Sequence, residues 1–125
     1  MKRHPALIEL SREHHGALSL ARRIALSEVG TSDWNALRAR VIGPFRVELM
    51  AHFEDEEQRL LPLLGEAEAQ AAERLHAEHR ELRQLLDAIA AGRAEALKQF
   101  GLLLNTHVRF EERQLFGLIE ARLVV

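Results

Sequence analysis

Cysteine is absent from the 125-residue chain. That excludes disulfides, thiolate metal sites and cysteine nucleophiles together, and leaves the redox compartment open. Tyrosine is absent too, and no stretch alternates apolar and polar residues for long. The vocabulary of a β-sheet is therefore missing. Charge of one sign is not in surplus. A net charge of -2 gives no general basis for binding nucleic acid or an anionic membrane. Long apolar runs are lacking as well, since segments such as Leu60 to Leu64 are far too short to span a bilayer. The start, Met1-Lys2-Arg3-His4-Pro5, leads into a polar amphipathic segment and not into the apolar core of a signal peptide. A cytoplasmic protein with no nucleic-acid or membrane partner is the expectation.

What is present points to helices. Ala, Leu, Glu and Arg dominate, hydrophobic residues make up 47%, and the mean hydropathy is -0.16. The length suits one domain with a single core, residues 1–125. His4-Pro5 reads as a helix start, and Leu7, Leu10, Ala17, Ala21 and Ile24 follow at helical spacing. Helix A is expected over about residues 5–29, with Gly30 as its stop and Thr31-Ser32-Asp33 offering the next N-cap. Helix B is expected from about Asp33 to Leu64, interrupted by Gly43-Pro44. Because Leu37, Val41, Phe45, Leu49 and Phe53 keep phase across the proline, this is a kink or a short break. Helix C covers about Glu66 to Ala91, before Gly92, and helix D about Ala94 to Leu123. Four long helices with short connections predict an all-α, up-down-up-down antiparallel four-helix bundle.

The helices carry a repeat. His52-Phe-Glu-Asp-Glu56-Glu57 is matched by His107-Val-Arg-Phe-Glu111-Glu112, and Leu10-Ser-Arg-Glu13-His14 by Leu75-His-Ala-Glu78-His79. Positions i and i+4 share a helix face, so each His-x3-Glu sets an imidazole beside a carboxylate. Distance from a turn sets height in the bundle at about 1.5 Å per residue. His14 lies 16 residues before Gly30 and His52 lies 19 after Asp33. The same comparison across Gly65 and Gly92 agrees as closely, so His14, His52, His79 and His107 fall at one level. Their phase relative to the apolar stripes turns them inward, together with Glu56 and Glu111. A single histidine on an apolar face is usually a satisfied core residue. Six buried polar groups without compensation would instead cost roughly several kcal/mol each, a cost that a cation removes. Nitrogen and oxygen donors without thiolate suit Fe, Mn or Zn. A structural Zn needs only four ligands, whereas two metals bridged by Glu56 and Glu111 account for all six.

On these motifs the chain resembles the hemerythrin-like, HHE cation-binding domain family over nearly its whole length. The resemblance rests on Glu13-His14, on His52-Phe-x-x-Glu56-Glu57, on Glu78-His79 and on His107-x-x-Phe110-Glu111-Glu112-x-x-Leu115-Phe116. It implies a centre of two Fe ions, oxo- or hydroxo-bridged, with Glu56 and Glu111 bridging and an open position for O2 or another small diatomic or peroxide ligand. Hemerythrins proper carry a fifth histidine ligand as His-x3-His on helix C, whereas this chain has His76-x2-His79. His76 and His15 are the spare imidazoles. Without them the centre has more exchangeable positions, which favours redox chemistry over stable O2 carriage.

Family roles range over oxygen carriage, oxygen or redox sensing, iron handling, and response to nitric oxide or peroxide. The sequence thus leaves a ligand-binding di-iron protein, a di-iron oxidase, peroxidase or nitric-oxide-stress repair factor, and a metal-free or Zn-bound helical interaction module as alternatives. Glu13, Glu57, Glu78 and Glu112 adjoin the inward residues by one position and are expected to face solvent, with hydrogen bonding to imidazole as the alternative. Phe53 and Phe110 are expected to wall the site, and Trp34 to pack away from it.

Overall fold

The chain enters its first helix as the dipeptide His4-Pro5 predicts. The His4 ring accepts a hydrogen bond from the Ala6 N–H through Nδ1 (3.0 Å), and Pro5 opens a 3₁₀ turn, Pro5–Leu7. The computed structural model describes residues 3–123; the two residues at each end of the expected domain lie outside them. The turn runs into α1 (Ile8–Leu26). This helix stops three residues short of the expected boundary. Lys98 explains the early stop: its ammonium donates to the carbonyls of Ile24, Ala25 and Ser27, each at 2.9 Å, and so takes up acceptors that the helix end leaves free. Gly30 turns the chain at φ 87°, and the Thr31 hydroxyl accepts from the Trp34 N–H (3.1 Å) to cap α2 (Ser32–Ile42).

Helix B is broken, as Gly43-Pro44 suggests, and α3 (Pro44–Asp55) resumes at the proline. A Cβ at Gly43 would sit 2.9 Å from the Ala39 carbonyl oxygen, so the break needs glycine as well as proline. After Asp55 the helix widens into a π turn, Glu56–Leu60, then tightens into a 3₁₀ turn, Leu61–Leu63. Another 3₁₀ turn, Glu66–Glu68, leads into α4 (Ala69–Ala90). Gly92, at φ 90°, closes that helix. The N–H of Arg93 reaches the Ala88 carbonyl and that of Gly92 the Ile89 carbonyl, which is the Schellman pattern. Last come α5 (Ala96–Phe110), a second π turn, Glu111–Leu115, and α6 (Phe116–Leu123).

The result is a helical bundle with α5 packed against both α1 and α4, and among the described residues there is no strand. Among the described residues, no helix is long and apolar enough to cross a membrane. Two apolar clusters fill it. One gathers Ala17, Ile24, Leu49, Phe53, Leu82, Phe100 and Leu104 with their neighbours, among them the buried Trp34. The other gathers Leu7, Leu10, Leu60, Leu75, Leu115 and Phe116. Where α1, α4 and α5 pass from one cluster toward the other, polar residues intervene: His14 between Leu10 and Ala17, His79 between Leu75 and Leu82, His107 and Glu111 between Leu104 and Leu115. A polar layer therefore divides the core.

Candidate metal centre

The layer is built by the helix periodicity. His14 and His79 occupy apolar-stripe positions of α1 and α4, and His52/Glu56 and His107/Glu111 are stacked by their i,i+4 spacing. All six side chains are buried, Glu56, Glu111 and His79 completely. Their donor atoms fall into two groups of four, His14–His52–Glu56–Glu111 and Glu56–His79–His107–Glu111, in each of which the atoms lie within 4.8 Å of one another. Glu56 and Glu111 belong to both groups. His76 and His15 are exposed and in neither group.

Each imidazole is held from behind by a carboxylate. The Nδ1–H of His52 donates to Glu13 (2.8 Å), that of His79 to Glu57 (2.6 Å), that of His107 to Glu78 (2.7 Å) and that of His14 to Glu112 (2.6 Å). The expectation of solvent-facing glutamates is corrected here, because in each case the partner is on the adjacent helix. Helix A serves B, B serves C, C serves D and D serves A, so the four pairs close a ring. An ionised carboxylate can only accept, so Nδ1 carries a proton in each ring, and a neutral imidazole held this way turns its Nε2 lone pair into the layer. There it meets more acceptors. His14 Nε2 is 3.1 Å from His52 Nε2 and 2.9 Å from Glu111 Oε1, and His79 Nε2 is 3.1 Å from Glu56 Oε1. Glu56 Oε2, His107 Nε2 and both Glu111 oxygens are buried without a well-aligned hydrogen bond, although His107 Nε2 lies 3.3 Å from Glu111 Oε1 and His52 Nε2 3.2 Å from Glu56 Oε2. Each such orphan costs about 1–3 kcal/mol.

The titration of these groups reports the same conflict. Burial drives the Glu56 carboxyl well up, aided by the charge of Glu111. Burial also opposes ionisation of Glu111, but hydrogen bonding with Glu56 and the His107 charge outweigh it and hold that carboxyl well down. Burial pulls the His52 imidazole down, yet the Glu111 and Glu56 carboxylates carry it up to about 11. His107 rises to about 9 for the same reasons, with Glu111 the larger partner. His79 instead falls to about 4, through burial and the neighbouring His107 charge. With protein groups alone, protons must compensate the acceptors. A cation does so with no donor to spare, and the imidazole–carboxylate donor set fits such an ion.

Aromatic rings and arginines brace the ring. Phe53 stacks on His79 (3.8 Å between centroids), and Phe116, the last residue of the second repeat motif, stacks on His14 (5.3 Å). Phe110 lies 6.4 Å from His107. Arg83 binds Glu57 (3.0 Å) and lies over Phe53, and Arg74 binds Glu78 (3.0 Å) and lies over Phe110. Arg3 approaches Glu112 (3.4 Å) and lies over Phe116. A cavity of about 390 Å³ opens onto the layer. Glu13, Gly16, Arg40 and Glu48 line it, as do apolar residues such as Leu49 and Leu104, and it meets His14, His52, His107 and Glu111.

The π turns were also unforeseen. Each starts at the inward glutamate of its repeat, Glu56 or Glu111, and π turns concentrate at functional sites.

Comparison with known proteins bears on the same residues. The family model of the hemerythrin HHE cation binding domain matches residues 6–120, a span that contains the six inward residues and the four outer glutamates. No curated protein and no solved structure matches the chain.

Proposed function

The chain belongs to the hemerythrin HHE cation-binding domain family, and on that premise we propose that it is a non-haem di-iron protein that binds O2 or a related diatomic or peroxide ligand, in sensing, carriage or redox handling. The observation that carries this reading is the division of six buried donors into two groups of four that share Glu56 and Glu111. That is the donor arrangement a bridged metal pair requires, and a lone structural Zn would leave donors over. When bound, the irons would supply Lewis acidity and one-electron chemistry.

The protein's own part is to position and to exclude water. His14, His52, His79 and His107 present Nε2 because Glu112, Glu13, Glu57 and Glu78 fix the opposite nitrogen as a donor. Phe53 and Phe116 cover one ring face of His79 and His14 and keep water from those ligands. The cavity gives a small ligand a route to the His14–His52 side. His76 and His15 stand outside the layer, so a four-histidine centre keeps more exchangeable positions than a five-histidine one. This favours redox turnover of a peroxide-class ligand, as the second reading, over stable O2 carriage.

Aerobic purification, metal count per chain and the visible spectrum test the proposal. Two irons per chain with visible charge-transfer bands are expected. Bands that bleach and recover with O2 mark binding, and bands that bleach for good mark turnover. One zinc per chain, or no metal, would overturn both.

A further inference from the structure

The ring of imidazole–carboxylate pairs is uneven. Three of its glutamates are held by an arginine, and each of those arginines also lies over a phenylalanine beside the corresponding histidine. Glu13 is the exception. Among the described residues it has His52 as its one partner and no arginine. Its side chain is 48% exposed, against 24%, 13% and 29% for Glu57, Glu78 and Glu112. His52 is correspondingly the most exposed of the four histidines, at 7%, and no phenylalanine stacks on it. The same arm lines the cavity that reaches the layer. Glu13 and Glu48 line that cavity with Arg40, and so does Gly16, one turn beyond Glu13, where an added Cβ would meet nothing within 4 Å.

We propose that the Glu13–His52 arm is the port by which the metal pair is filled and emptied: His52 is the ligand that lets go first, and cations pass between Glu13 and Gly16. The inference rests on the two-metal reading above. Its physical basis is a difference in bracing. Releasing His79, His107 or His14 requires displacing a carboxylate that is pinned by a guanidinium and, for His79 and His14, sliding the ring from under a stacked phenylalanine. Releasing His52 requires breaking one hydrogen bond to a half-exposed carboxylate. The group that holds His14 and His52 therefore exchanges ahead of the group that holds His79 and His107.

The test is iron release. Protein loaded anaerobically with Fe(II) is mixed with excess ferrous chelator, and the coloured complex is followed by stopped flow. Wild-type protein is expected to give up one equivalent ahead of the other. Glu13→Ala should speed the first equivalent about 10-fold or more and spare the second, in line with the roughly 10–100-fold loss of metal affinity when a histidine ligand loses its outer partner. Arg83→Ala, which unpins Glu57 behind His79, should speed the second and spare the first. Gly16→Leu, which adds a better helix former in open space, should slow loading several-fold with no loss of thermal stability. The proposal is overturned if both equivalents leave in one phase, if Glu13→Ala and Arg83→Ala act on the same phase, or if Gly16→Leu loads at the wild-type rate. Protein that retains no iron sinks the two-metal reading itself. Protein that retains two irons and fails any of these comparisons sinks the port alone.

Discussion

Replacing Glu111 by leucine should destabilise the protein without metal, and more so with it. Glu111 is completely buried and faces His52 and His107, whose imidazoles its carboxylate helps carry up to about 11 and about 9. Without a cation, protons on those rings compensate the carboxylate, so deleting it leaves buried imidazole groups without their partner and costs about 1–3 kcal/mol. The metal-free variant is therefore expected to melt several degrees below the metal-free wild type. Metal widens the gap. Free metal a thousandfold above its dissociation constant stabilises a protein by about 4.1 kcal/mol, and only if the folded state binds it. For a chain of this length each kcal/mol moves the midpoint by roughly 3–5 °C, so the wild type should gain roughly 12–20 °C on loading. Glu111→Leu, lacking a donor common to both groups, should gain little. Calorimetry of both proteins, with Fe(II) under anaerobic conditions and with chelator, measures all four midpoints. A metal-free variant as stable as the metal-free wild type would refute the claim that protons on the facing imidazoles compensate this carboxylate. A variant that kept the full metal-dependent gain would refute its place in the centre.

Other outcomes follow from the same geometry. His107→Ala should lose most of the bound iron, read as metal per chain after gel filtration; full iron content would remove His107 from the ligand set. The metal-free protein should lose stability as pH rises above neutrality, because the folded-state values of His107 and His52 are raised above 6.5, so their contribution is complete below 6.5 and disappears through about 9 and about 11 respectively. His79, lowered to about 4, works in the other direction and costs stability as pH falls below 6.5 toward that value. Midpoints measured across pH 4–10 with and without metal should show the alkaline fall only without it, since loading displaces those protons. Gly43→Ala should lower the midpoint by the equivalent of about 1–3 kcal/mol, because its Cβ would meet the Ala39 carbonyl at 2.9 Å; an unchanged midpoint would mean the break between α2 and α3 relaxes freely.

The layer was legible in the sequence because helices of similar length, antiparallel and joined by short turns, convert residue counts into heights. Leu10, Ala17, Leu75 and Leu82 fix the inward phase of His14 and His79, so the sequence alone could set them beside Glu56 and Glu111. The outer glutamates were misread for a physical reason. A residue one step from an inward position points about 100° away on its own helix, which looks like solvent. At the seam between two helices that direction faces the neighbouring imidazole, and an offset within one helix carries no information about the neighbour. Arg3, Arg74 and Arg83 were illegible for the same reason. The π turns were missed because nothing in Glu56–Leu60 or Glu111–Leu115 departs from ordinary helical composition.

The direction of the ring has a consequence for how such a chain can be assembled. Glu13 to His52 and Glu78 to His107 are links within a hairpin, whereas Glu57 to His79 and Glu112 to His14 run between hairpins. Under the repeat, each link of one kind maps onto the other of its kind. One helical hairpin, paired with an identical copy about a twofold axis, would close the same circuit. The covalent joint near Gly65 adds nothing to that circuit except the freedom for its halves to diverge. The arginines are where they have diverged, since Arg74 pins Glu78 while Glu13, its counterpart in the first hairpin, is left unpinned.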